Sequence, residues 1–151
     1  MQDVALPRLF GRYCLLRTAG SESYQDGQLR TLLATELPAP FEIRTEALRT
    51  VYLLPASHGA HLEPQAARQP LVSHPNLLAA LDAGQLDGQQ FLVTEHALGP
   101  DLRTICQQAR QQLPVEVALY VAREVARALH ALHTQAESIH GAVAPSNVFC
   151  T

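Results

Sequence analysis

The alternation of apolar and polar residues changes along the chain from a period of two to a period near 3.6. In the first two-thirds, short apolar segments are bounded by Gly, Pro and polar residues, which is typical of strands. They predict five strands at residues 11–16, 29–35, 45–54, 77–83 and 90–95. The polar residues 20–28 predict a loop, and the Asp87-Gly88 pair predicts a tight hairpin between the last two strands.

Helical patterns dominate the last third. Residues 115–133, which follow Pro114, repeat apolar side chains every three or four positions and place charged residues on the other side. This pattern predicts a long amphipathic helix. Asp101 is the predicted N-cap of a shorter helix before it. Residues 55–74 are rich in Ala and Gln but contain Pro64 and Pro70, so any helix there is short or broken.

Composition narrows the functional classes. The chain has 151 residues and a formal net charge of -3, which gives no basic surface for nucleic acid or anionic lipid. Its apolar runs are too short for a membrane span, and no secretory leader is evident, so we expect a cytoplasmic protein. The three cysteines form no CxxC pair and the histidines no HExxH motif, so we expect no metal site. All eleven basic residues are Arg, and the chain has no Lys.

Residues 139–149, IHGAVAPSNVF, resemble the catalytic loop of the protein kinase family through His140, Gly141, Pro145 and Asn147. Three further segments resemble kinase landmarks in the family's order. Residues 73–84 (SHPNLLAALDAG) resemble the segment that leads into the fourth strand of a kinase. Residues 89–105 (QQFLVTEHALGPDLRTI) resemble the fifth strand and the hinge. Residues 117–133 (VALYVAREVARALHALH) resemble the helix before the catalytic loop. The closest likeness is to bacterial Ser/Thr kinases.

The resemblance implies an α+β fold. Residues 1–10 would be an N-terminal extension. Residues 11–97 would form a kinase-like N-lobe with its hinge, built from a mainly antiparallel five-stranded sheet and a short helix. Residues 98–151 would begin the C-lobe and run through the catalytic loop, and the chain stops before the segments that complete a kinase site. Truncation would leave apolar helix surface uncovered, so we expect a protein partner or self-association.

The family's catalytic groups are absent from the matching positions of the loop. Ala142 stands at the position of the catalytic Asp and Ala144 at that of the Lys, so only Asn147 is retained, as a potential metal ligand. A methyl group neither accepts a proton nor contacts a phosphate.

The phosphate side of the resemblance is degenerate as well. The third-strand Lys maps to Arg49, or in a second register to Arg44, and its helix Glu maps to Gln65, with Glu63 as the substitute if the register slips. Gly20 is the one glycine that matches the glycine-rich loop, since Glu22 and Gln25 occupy the other glycine positions. An acidic side chain there would repel phosphates.

The adenine-facing positions match better. In the resemblance Ala47 roofs the pocket, Thr94 is the gatekeeper, and the backbone groups of Glu95 and Ala97 face the base. The same residues are also typical of an ordinary buried strand that has no role in nucleotide binding. We therefore expect no bound cofactor, with ATP as the alternative ligand.

The resulting hypothesis is a pseudokinase that acts in signalling by binding or scaffolding. One alternative is the N-terminal part of an ATP-dependent Ser/Thr kinase. The other is a small interaction domain without a nucleotide pocket.

Overall fold

The computed structural model describes residues 6–24, 27–37, 45–54, 72–109 and 113–151, with the backbone alone for residues 21–24 and 27–28. The described residues fall into two compact units. The first comprises those within Met1–Pro70 together with Ala79–His96, and the second those within Leu71–Leu78 and Ala97–Thr151. The predicted short helix and the positions Arg44, Glu63 and Gln65 lie outside the described residues.

The first unit is an antiparallel sheet. Its strands are β1 (Arg8–Phe10), β2 (Tyr13–Tyr24), β3 (Gly27–Glu36), β4 (Leu48–Leu54), β5 (Ala80–Leu86) and β6 (Gln89–Glu95). They are arranged in the order β1-β2-β3-β4-β6-β5, and each neighbouring pair is antiparallel. The predicted antiparallel architecture is therefore confirmed.

The sheet differs from the prediction in two places. It has six strands among the described residues rather than five, because β1 pairs with β2 through Phe10↔Tyr13 and its neighbours. The loop predicted at residues 20–28 is wrong in extent, since β2 and β3 stay paired as far as Tyr24↔Gly27. Ladder bonds join backbone groups, which polar residues also carry, so polarity alone does not end a strand.

One face of the sheet carries the apolar core of this unit. Leu15, Leu32, Val51 and Val93 are almost fully buried there, and the ring of Phe10 packs edge-on against Phe91 with centroids 5.3 Å apart. The predicted hairpin between β5 and β6 is confirmed. Asp87 and Gly88 have φ angles of 51° and 78°, the left-handed pair that a type I′ turn requires.

The second unit contains the helices α1 (Leu102–Ala109) and α2 (Val115–Gln135). The predicted cap of α1 is confirmed, because Asp101 Oδ1 accepts a hydrogen bond from the Thr104 backbone N–H at 2.7 Å. On α2, Ala131 and Leu132 are buried together with Ala136 and Val72 in a small core. Among the helices described, none is long and apolar enough to cross a membrane.

Candidate functional site

The kinase-like loop of the second unit has a defined conformation. Pro145–Asn147 form a 3₁₀ turn in which the Asn147 N–H donates to the Ala144 carbonyl at 2.8 Å. The Asn147 side-chain Nδ2 donates to the Ala142 carbonyl at 2.8 Å, which closes the loop on itself. Nδ1 of His140 accepts from the Ala142 N–H at 3.3 Å, and burial lowers the pKa of His140. His140 and Asn147 thus fix the backbone on both sides of Ala142.

The loop is also fixed to the start of α1. The Leu102 N–H donates to the Val148 carbonyl at 2.8 Å, and the Cys150 N–H donates to the Pro100 carbonyl at 3.0 Å. Gly99, with φ of +146°, lies so close to Cys150 that a Cβ at this position would collide with the Cys150 carbonyl oxygen. The segment after the loop is therefore held by backbone pairing rather than by side chains of a particular chemistry.

The side chains of this loop provide little for acid–base chemistry. Ala142 is exposed and Ala144 is half-buried, and both end in methyl groups. No carboxylate or ammonium group occurs between Ile139 and Phe149 in the sequence. The polar side chains of the loop are the imidazole of His140, the hydroxyl of Ser146 and the amide of Asn147, whose Nδ2 already donates to the Ala142 carbonyl.

In the first unit, the guanidinium of Arg49 is bound to its own turn. Its Nη1 donates to the carbonyl oxygens of Glu46 at 2.7 Å and Leu48 at 2.9 Å. Residues Thr45–Ala47 form a 3₁₀ turn, so β4 begins at Leu48 rather than at the predicted residue 45. Ala47 consequently precedes the strand and does not share a strand face with Arg49.

The pairing of β4 with β6 separates two of the predicted pocket residues. Arg49 is opposite Glu95, and Thr50 is opposite Thr94. Opposite residues of antiparallel strands share a face, and successive residues alternate between faces. Thr94 and Arg49 therefore lie on opposite faces of the sheet, and their joint contribution to one nucleotide pocket stays a prediction.

The face that carries Thr94 holds polar groups that the sequence analysis missed. The hydroxyl of Thr50 is 3.1 Å from His96 Nδ1, and both threonines are about nine-tenths buried. Burial is the main cause that lowers the pKa of His96, and the charge of Arg17 adds to it. Burial raises the pKa of Tyr52, and the neighbouring Thr94 acts the other way, while the Thr94 hydroxyl itself donates to the Glu95 carbonyl at 2.9 Å. If the strand register had been known, the alternation of side chains along β4 and β6 would have identified Thr50, Tyr52 and His96 as neighbours of Thr94.

The remaining predicted residues are dispersed. Gly20 lies within β2 opposite Thr31, and a Cβ there would meet nothing within 4 Å, so the backbone does not require glycine. Glu95 is exposed and its Oε2 accepts from the Ala79 N–H at 3.2 Å. Ala97 is buried and belongs to the second unit. Across the described ranges, no cluster of three His, Cys, Asp or Glu side chains is placed to hold a metal.

Comparison with known proteins defines the class. The family model described as protein tyrosine and serine/threonine kinase matches residues 60–151, more than half of the chain. The chain therefore belongs to the protein kinase family.

Two curated bacterial proteins are similar to this chain. It is 35% identical over 80 residues to a probable serine/threonine-protein kinase of Clostridium perfringens, an alignment covering 53% of this chain and 11% of the relative. It is 28% identical over 141 residues to another from Corynebacterium efficiens, covering 91% of this chain and 20% of the relative. The aligned part is thus at most a fifth of either relative.

Solved structures agree on the fold. The kinase domain of Mycobacterium tuberculosis PknI, in a form with one cysteine substituted, superposes with a TM-score of 0.79 at 22% identity, covering 99% of this chain and 59% of that domain. A second structure of that domain gives a TM-score of 0.73 at 23% identity, with coverage of 99% and 60%. The kinase-like α+β fold is therefore confirmed over most of the chain.

Proposed function

We propose that this chain is a catalytically inactive, pseudokinase module that acts in signalling by binding other proteins. The observation that carries the proposal is the loop around Ala142. Hydrogen bonds from Asn147 and to His140 hold its backbone in a defined turn, yet the side chain at its centre is an exposed methyl group. The scaffold of a catalytic loop is kept while its chemistry is missing.

Phosphoryl transfer shows why this loss matters. A kinase site needs a carboxylate that accepts or orients the substrate hydroxyl, a cation on the phosphates, and oxygen ligands for magnesium. Loss of a general base alone lowers rates by about 10²–10⁴. Here the position of the base is Ala142, the loop cation is replaced by Ala144, and the guanidinium of Arg49 is bound to carbonyl oxygens of its own turn.

The second candidate is the N-terminal part of an active Ser/Thr kinase. The names of the two bacterial relatives favour it, since each is a probable serine/threonine-protein kinase. Under the proposal, no cofactor is required and ATP is at most a weak ligand. The chain would act in the cytoplasm.

A protein partner or a second copy of the chain is the expected ligand, without nucleic acid or membrane. Support comes from the first turns of α2, where Val115, Leu119 and Tyr120 are each more than half exposed. Apolar residues grouped in this way mark interaction surfaces.

Two measurements test the proposal. Autophosphorylation and phosphorylation of a generic protein substrate are measured with ATP and magnesium, and we expect no transfer. Thermal shift with millimolar ATP, with and without magnesium, reports binding separately. Phosphotransfer that disappears in Asn147→Ala would overturn the proposal in favour of the second candidate.

The Ala142→Asp variant sharpens this test. Restoring the carboxylate alone does not restore the cation or the metal ligands, so we expect no phosphotransfer from this variant either. Activity gained by Ala142→Asp would show that the phosphate contacts are intact in spite of Ala144 and of the hydrogen bonds that hold Arg49.

A further inference from the structure

The strand register of the first unit determines which residue of β4 would face a nucleotide phosphate. β4 is paired on both sides: Thr50 is opposite Leu33 on β3 and Thr94 on β6, and Tyr52 is opposite Thr31 and Leu92. Because opposite residues share a face, Thr50, Tyr52 and Thr94 lie on one face of the sheet. We call this the threonine face.

Arg49 belongs to the other face. It shares that face with Val51 and Leu53, which pack with Val93 in the apolar core. Its guanidinium is turned to the carbonyl oxygens of Glu46 and Leu48. Rotating that side chain does not bring it to the threonine face, because the strand itself lies between.

The spacing of the kinase signature leads to a different residue. In the Val-Ala-Ile-Lys pattern the cation follows the small roofing residue by two positions, which places both on one face of the strand. Ala47 and Arg49 have this spacing in sequence, but Ala47 is in the 3₁₀ turn before the strand. Thr50 and Tyr52 have the same spacing inside β4, with the fully buried Val51 between them. Thr50 is also the residue opposite Thr94.

We infer that Tyr52, and not Arg49, occupies the strand position from which a kinase contacts nucleotide phosphates, so that β4 offers no cation to a phosphate on the threonine face. The inference rests on the proposed function and extends it to a stated ligand chemistry. A phenol gives one hydrogen bond and no positive charge, whereas the family's Lys gives a full charge. The strand β4 would then give a bound phosphate no charged contact, although Arg17 of β2, opposite Leu33, lies on the same face.

The test is to place a cation on each of the two candidate positions. Tyr52→Lys and Tyr52→Arg are compared with Arg49→Lys and Arg49→Gln in the full chain, with ATP and adenosine as probes and no divalent metal. Far-ultraviolet circular dichroism and a cooperative melt verify folding. Two cationic variants at position 52 are used because a half-buried site can accept one long side chain and reject the other.

We expect Tyr52→Lys or Tyr52→Arg to bind ATP at least about tenfold more tightly than the wild type, with adenosine affinity unchanged. Both Arg49 variants should match the wild type with either probe. The inference is overturned if an Arg49 variant changes ATP affinity, or if neither folded variant at position 52 gains any.

These outcomes are separate from those of the proposed function. Without metal no phosphoryl group is transferred, so the binding comparison does not depend on catalytic activity. An active wild type would overturn the pseudokinase proposal and leave the comparison of positions 49 and 52 to be decided by affinity.

Discussion

The buried phenol of Tyr13 should make the stability of the first unit depend on pH in the alkaline range. Tyr13 is 2% exposed, and its hydroxyl donates to Asp82 Oδ2 at 2.9 Å while it accepts from Arg12 Nε at 3.0 Å. The hydrogen bond between Tyr13 and Asp82 connects the start of β2 with β5. Burial is the largest cause that raises the pKa of Tyr13 to about 12, from an ordinary value of 10.0.

The sign of the effect follows from linkage. A raised pKa means that the folded state holds the phenol proton more tightly than the unfolded chain does. The stabilisation is complete below pH 10 and is lost as the pH rises from about 10 towards 12. Two pKa units correspond to about 2.7 kcal/mol, and about 2 kcal/mol of this should be gone at pH 12.

Tyr13→Phe removes the titrating group and keeps the ring. At neutral pH we expect a loss of about 1–3 kcal/mol, because the variant loses a hydrogen bond to a charged carboxylate and leaves Asp82 with Arg12 alone. Between pH 9 and pH 12 the difference from wild type should shrink by about 2 kcal/mol, since only the wild type loses phenol-linked stability.

The assay is urea denaturation of both proteins at a series of pH values, followed by circular dichroism. Comparing the two chains cancels the titration of other tyrosines, Tyr52 included. A stability difference that stays constant from pH 9 to pH 12 would refute the assignment of a raised pKa to Tyr13. A direct titration of phenolate absorbance in folded wild type and Tyr13→Phe gives an independent check.

Three further predictions concern the second unit. Asp101→Ala should cost about 1 kcal/mol because the Thr104 N–H loses its acceptor, while Asp101→Asn should be near neutral; thermal melts compare them. Gly99→Ala should lower stability by about 1–3 kcal/mol, because an L-residue is strained at φ +146° and its Cβ meets the Cys150 carbonyl. Faster amide hydrogen exchange at Cys150 would report this strain, and an exchange rate equal to that of the wild type would contradict it. Leu132 is 1% exposed, so Leu132→Ala should lower stability by about 2–5 kcal/mol. Leu119 is 65% exposed, so Leu119→Ala should change stability by less than about 0.5 kcal/mol. Equal losses of stability in urea denaturation would contradict the burial of Leu132.

The local elements of this protein were readable from its sequence because they depend on short-range physics. The Asp87-Gly88 turn follows from the left-handed φ angles that this dipeptide tolerates. The Asp101 cap and the amphipathic period of α2 likewise need only residues within a few positions of each other. The kinase-like order of landmarks was also legible, and the family match agrees with it.

Long-range pairing was not readable in this way. The extension of β2 and β3 through the polar residues to Tyr24 and Gly27 depends on backbone ladder bonds, to which side-chain polarity gives no guide. The short strand β1 is defined by its partner β2 and has only three residues of its own. In both cases the partner strand, rather than the local pattern, determines the conformation.

The same division applies to the candidate site. That Ala142 and Ala144 carry no catalytic chemistry is determined by the sequence, because a methyl group behaves the same in any fold. Which residue of β4 faces Thr94 was decided only by the tertiary structure. A shift of one residue in strand register moves every side chain to the opposite face of the sheet. The residues around Arg49 that resemble the kinase signature contain no information about that register.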